Sequence, residues 1–207
     1  MRFFEPLNKI LDNENKVRIL RFLIKSHAKW TGRQIANHLQ ISSSACHKYL
    51  RQLHNEEIMI YSSVGRSYLF EMNTHSYIVN EILMPLFKRE DKIFAELKNL
   101  IAKTIKNFVP AKVVTACFFG SVAKKKEKAF SDLDVIIIVK KKIDKSSIEA
   151  GMKNVKREIN EKFGNILSLY IQTVEEFKMK RKNKLPVIRT ILKDNILITG
   201  KPLVAVK

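Results

Sequence analysis

The chain has 207 residues, 45% of them hydrophobic, with six glycines, five prolines and a net charge of +19. That content excludes a disordered or fibrous chain and suffices for one large domain or two small ones. No apolar run approaches the roughly 20 residues of a membrane helix, the longest being Val135–Val139. The opening Met1-Arg2-Phe3-Phe4-Glu5-Pro6 lacks the apolar stretch and cleavage site of a secretory signal. A cytoplasmic setting with no membrane partner is therefore expected. The charge suggests a polyanionic partner, nucleic acid or nucleotide phosphate, although lysine-heavy composition alone would also produce it. Residues 1–75 carry 11 Lys and Arg against 6 Asp and Glu, whereas residues 76–207 carry 28 against 14. Most of the excess thus lies in the later part of the chain. Cys46 and Cys117 are too few and too isolated for a disulfide framework or a zinc site, and read as buried or half-buried thiols.

Along residues 1–75, Ile10, Leu11, Val17, Leu20, Leu23 and Ile24 recur at helical spacing between Leu7 and Lys25. A second helix is expected after Trp30, with Thr31 as its N-cap, and Trp30 itself as a core plug. The serines Ser42-Ser43-Ser44 cap a third helix running to His54-Asn55. Two strands follow, Ile58–Tyr61 and Ser67–Met72, joined by a hairpin tip bearing Gly65 and Arg66. Three helices and a hairpin give the winged helix-turn-helix order. Residues 76–109 read as a helical linker interrupted at Pro85 and closed by Val109-Pro110. No heptad in it is sustained enough to decide whether it forms a homodimer.

Residues 110–207 alternate strand and helix, so a mixed sheet carrying helices is expected and the chain as a whole is α/β (α+β). The strands are Val113–Phe119, Leu133–Val139 and Ile166–Gln172; helices are expected from Ser121, over Ser147–Phe163, Val174–Lys182 and Pro186–Asp194, before a tail at Ile196–Pro202.

The third helix presents Ser43, Ser44, His47, Lys48 and Arg51 outward, short polar and basic groups of the kind that enter a major groove. Arg66 at the hairpin tip suits a phosphate or minor-groove contact. The segment resembles winged-helix modules of small archaeal and bacterial repressors, which implies operator DNA as a partner; dimerisation or protein contact is the alternative use of the same fold.

The sharper signal lies further on. An apolar strand delivers Gly120-Ser121 to the start of a helix, where glycine lets the backbone approach a phosphate, backbone amides attract its charge and the serine hydroxyl adds a hydrogen bond. Ten residues later, Asp132-Leu133-Asp134 opens an apolar strand. Two carboxylates one residue apart share a face and repel unless a divalent cation joins them. Lys124, next to the glycine-serine turn, is a further phosphate ligand candidate, while Lys125, Lys126 and Lys128 serve either phosphate binding or a solvated loop. The five histidines are scattered without metal-ligand spacing.

This Gly-Ser, ten residues, Asp-x-Asp pattern is similar to the minimal nucleotidyltransferases of the DNA polymerase beta superfamily, which includes antitoxin-type enzymes that transfer adenylate to a partner toxin. The resemblance covers about residues 110–202. It implies Mg2+ held by Asp132 and Asp134 as catalytic and metal-binding acids, and a nucleoside triphosphate, ATP or another, held by Gly120, Ser121 and Lys124. Transfer of a nucleoside monophosphate to an acceptor hydroxyl is the implied reaction, with a toxin or other protein among the candidate acceptors. Two features depart from the pattern. A glycine common in the family's loop falls at Lys125, and the expected third strand offers Ser168, Tyr170 and Gln172 where full enzymes carry another carboxylate. Glu175 and Glu176 follow that strand, at the expected start of the next helix. The alternative function is a regulator or antitoxin that binds nucleotide without turnover.

Overall fold

The computed structural model describes residues 2–108 and 112–206, and the chain divides into two compact units, Met1–Lys92 and Ile93–Lys207. The end of the expected linker, Val109-Pro110, lies outside the described residues.

In the first unit a 3-10 turn over Pro6–Lys9 precedes α1 (Glu14–Ser26). The helix expected from Leu7 therefore begins later. Asn13 is the reason: in extended conformation, its side chain accepts the Asn15 N–H at 2.9 Å and satisfies one of the open donors of the first turn. The two-residue strand β1 (Trp30–Thr31) leads into α2 (Gly32–Leu39), where Thr31 and Gln34 close a capping box. α3 (Ser43–Asn55) starts at Ser42, whose hydroxyl accepts the Ala45 N–H. β2 (Met59–Val64) and β3 (Ser67–Met72) form the antiparallel hairpin, and β1 pairs with the far side of β3 to give the order β1-β3-β2. Ile19, Leu20, Leu23, Ile35, Cys46, Leu50, Leu53 and Met59 share one core under this sheet. Trp30 is half-buried against Phe22, and its indole N–H donates to Ser26 Oγ at 3.0 Å.

The segment expected as a linker belongs to both units. A π-helical turn over Ile78–Leu83 runs into α4 (Met84–Glu90), and Ile78, Val79, Leu83 and Phe87 join the first core. The turn accommodates Pro85: Met84 N–H reaches back five residues to Val79 O, widening the helix ahead of the proline ring. The Arg21 guanidinium binds both Glu90 carboxylate oxygens, at 2.6 and 2.8 Å, and ties α1 to α4.

The second unit begins with α5 (Ile93–Phe108) and β4 (Val113–Phe118), followed by the single turn α6 (Gly120–Ala123) and β5 (Leu133–Val139). Two helices, α7 (Asp144–Gly151) and α8 (Lys153–Phe163), stand where one was expected. The break follows Gly151, the poorest helix former in the stretch. β6 (Leu167–Thr173), α9 (Val174–Lys182), α10 (Pro186–Lys193) and β7 (Ile196–Gly200) complete the unit. The expected tail is therefore a strand. The sheet order is β6-β5-β4-β7, with β5 and β6 parallel and the other pairs antiparallel.

Because side chains alternate along a strand, the sheet has two cores. Leu133, Val135, Ile137 and Val139 meet Leu97, Ile101 and Ile105 of α5, Ile148 of α7 and Ile159 of α8. Ile136 and Ile138 face the other way, toward Phe177 of α9 and Ile188 and Ile191 of α10. Asp134 has the same parity as Ile136, so its side chain belongs to the face that α9 and α10 cover. Among the described residues no helix is long and apolar enough to cross a membrane.

Candidate functional site

β4 and β5 run antiparallel, so the end of β4 lies beside the start of β5, and Phe119 N–H donates to Asp134 O at 2.9 Å. This bond fixes the turn that follows. Gly120 has φ of +70°, and a Cβ there would collide with Asp134 Oδ2. Glycine is required on both counts: it takes the left-handed conformation without strain and leaves space for the carboxylate. Gly120 of the glycine-serine turn and Asp134 of the acid pair are therefore in contact. Since α6 is only one turn long, what it offers an anion is its few open backbone amides rather than a developed helix dipole.

Asp132 is exposed and Asp134 half-buried. Burial raises the Asp134 pKa above the ordinary aspartate value, and the neighbouring Asp132 charge raises it further. Among the described residues neither acid forms an ion pair with a cation of the chain. Two neighbouring carboxylates lacking such a partner suit a divalent cation whose remaining positions go to water and substrate oxygens. Among the described residues no cluster of three or more His, Cys, Asp or Glu forms a self-sufficient cage.

The loop between turn and acids is held by hydrogen bonds. Lys126 N–H donates to Ser121 O, Ser131 Oγ accepts the Lys128 N–H, and Asn165 Nδ2 donates to Ser131 O at 2.8 Å. Lys124, Lys125, Lys126 and Lys128 are exposed on it. Lys125 adopts φ of +53°, so the position where the resemblance calls for glycine has glycine's conformation with a lysine in it.

On the other side of β5, parallel register sets Ser168 opposite Asp134 and Tyr170 opposite Ile136. No carboxylate stands on this part of β6. Glu176 is engaged elsewhere: it closes the capping box of α9 with Thr173, and its Oε2 accepts from Lys145 Nζ at 2.5 Å. That lysine, with the Thr173 amide, holds the Glu176 carboxyl below its usual range. One contact had no sequence signal. Tyr170 lies edge-on to Phe119, with ring centroids 6.4 Å apart, and Lys180 Nζ donates to Tyr170 Oη at 2.9 Å. Their pairing joins β6 to α9 across ten residues, which no local pattern reports.

In the first unit Ser43, Ser44, His47, Lys48 and Arg51 are all exposed on α3, and Arg66 is exposed at the hairpin tip. The His47 ring lies over Gly32, where an added Cβ would stand 2.6 Å from its Cε1. Between α3 and the hairpin, His47, Arg51, His54, Asn55, Tyr61 and Tyr68 line an open groove of about 590 Å³.

A three-helix unit with a hairpin, followed by a mixed sheet whose glycine turn meets an acid pair, defines a winged-helix protein with a nucleotidyltransferase fold. Residues 99–203 match the family described as polymerase beta, nucleotidyltransferase, and residues 16–69 match a helix-turn-helix domain. The chain belongs to the polymerase beta nucleotidyltransferase family. No curated protein matches the chain by sequence. Among solved structures it is similar to HlyU from Vibrio cholerae N16961, at 19% identity over 41% of this chain and 87% of that one, with a TM-score of 0.36. The adhesin competence repressor AdcR from Streptococcus pyogenes matches at 20% identity over 44% and 65%, with a TM-score of 0.36. A toxin-antitoxin structure with AMP-PNP matches at 12% identity over 50% and 73%, also with a TM-score of 0.36.

Proposed function

We propose that the chain transfers a nucleoside monophosphate from a nucleoside triphosphate, ATP or another, to an acceptor hydroxyl, and that its winged helix binds DNA. The observation that carries the reading is the contact between the Gly120-Ser121 turn and the Asp134 carboxylate beside Asp132. Asp132 and Asp134 would hold Mg2+, which when bound lowers the charge on substrate phosphates and polarises the phosphorus under attack. The open amides at Gly120 and the Ser121 hydroxyl bind and orient the phosphate tail, with Lys124 beside them. Raised pKa at Asp134 fits a carboxylate that gains from a bound cation. The acceptor is a macromolecule or small molecule bearing a hydroxyl, a partner toxin among the candidates. On the first unit, Ser43, Ser44, His47, Lys48 and Arg51 read the major groove while Arg66 meets the backbone, in a cytoplasmic setting where both ligands occur.

Incubation with each radiolabelled triphosphate, Mg2+ and lysate should put label on one macromolecule. The Asp132→Ala, Asp134→Ala double variant should lose all transfer, and full activity in it would reject the scheme.

A second reading rests on β6, where Ser168 stands opposite Asp134 and no acid follows on that strand face. The second unit would then sense nucleotide without turnover, and bound nucleotide would change operator affinity. Tight triphosphate binding without pyrophosphate release, together with that shift, would select this reading.

A further inference from the structure

We propose that Lys180, held against Tyr170, is a phosphate-binding residue of the nucleotide site, supplying fixed positive charge on the flank of the acid pair where β6 has no carboxylate. The inference deepens the nucleotide reading above and rests on it. Three contacts and one peptide bond link Asp134 to the lysine. Asp134 packs on Gly120, Phe119 precedes that glycine, the Phe119 ring meets Tyr170, and Tyr170 Oη accepts from Lys180 Nζ. Parallel register puts Tyr170 opposite Ile136, on the face of the sheet to which Asp134 belongs.

The surroundings of the ammonium group suit an anion. Lys180 is half-buried, its ammonium donates to the Tyr170 hydroxyl, and the group lies 5.1 Å from the centre of the Tyr170 ring. Glu176, one turn earlier, feels its charge, but that carboxylate is already bonded to Lys145 and to the Thr173 amide. An ammonium has three donors, of which one is taken among the described residues. A cation partly withdrawn from water gains most from a partner with full negative charge. The loop lysines beside the glycine-serine turn differ in being exposed, whereas Tyr170 orients Lys180 before any ligand arrives, which reduces the ordering lost on binding.

Equilibrium dialysis of the full chain with radiolabelled ATP and Mg2+ tests this, with displacement by inorganic pyrophosphate and by adenosine as the discriminating arms. Lys180→Gln should weaken ATP and pyrophosphate by about tenfold or more, the expected loss of one charged hydrogen bond, and leave displacement by adenosine unchanged. Lys180→Arg keeps the charge and should retain more ATP and pyrophosphate affinity than Lys180→Gln. Circular dichroism of each variant separates lost folding from lost binding. ATP binding by Lys180→Gln equal to wild type overturns the inference alone, as does an equal weakening of ATP, pyrophosphate and adenosine. A wild-type chain that binds no triphosphate overturns the nucleotide reading and this inference with it.

Discussion

Asp134 is held in the fold at a cost to stability. Burial and the Asp132 charge raise its pKa, so the folded chain keeps that proton to higher pH than the unfolded chain does. Its favourable contribution is complete below the unfolded aspartate value and disappears as pH rises through the raised folded value. At neutral pH the ionised group therefore opposes folding, and Asp134→Asn should raise stability in urea denaturation at pH 7 while flattening its acid pH dependence. Lys125 is strained differently, by a left-handed backbone that costs a residue with a Cβ roughly 1–2 kcal/mol. Lys125→Gly should recover up to about 1 kcal/mol, the flexibility of glycine in the unfolded chain offsetting the rest, as read by the same titration. The motif residues were legible because each half of the site is local: a glycine-serine turn after one apolar strand, an acid pair before the next. Lys180 and Tyr170 were not, since an ammonium–phenol contact between a strand and the following helix has no periodic trace.

Elements with strong local signals came out of the sequence with correct limits. β5 is an unbroken apolar run, and α9 starts at a Thr173–Glu176 capping box that its sequence spells out. Elements defined by partners were harder. β1 is two residues long and exists because Trp30 and Thr31 find Phe70 and Leu69 across the sheet, and β7 is a strand because β4 offers it an edge. The α1–α4 tie is equally nonlocal, joining Arg21 to Glu90. Hydrogen bonding to Arg21 holds the Glu90 carboxyl below its usual range, so the pair stabilises the fold above the ordinary glutamate value and that help fades as pH falls through the lowered one. Glu90→Gln should melt below the wild type at pH 7, and the two melting curves should converge in acid.

For the molecule as a whole, the boundary at Lys92–Ile93 falls inside what the sequence presents as one helical stretch. Amphipathic helices on either side look alike in sequence; only the cores they enter distinguish them, Phe87 packing with α1 and Leu97 with the second sheet. Each unit has its own buried core, which is what independent folding requires. Residues 1–92 and 93–207, expressed separately, should each give a cooperative thermal transition by circular dichroism. Charge is divided unevenly between them, with 14 Lys and Arg against 9 Asp and Glu in the first and 25 against 11 in the second. The polyanion attraction noted from composition is therefore concentrated on the unit with the acid pair.

Each unit also has one cysteine sealed in its core, Cys46 on α3 and Cys117 on β4. Burial pushes the Cys46 thiol up to about 11 and raises that of Cys117, so neither is a ready nucleophile toward alkylating reagents while its surroundings stay closed. The chain thereby contains two native clocks: the pace at which iodoacetamide caps each sulfur, resolved peptide by peptide in a mass spectrometer, times the opening of one half independently of the other.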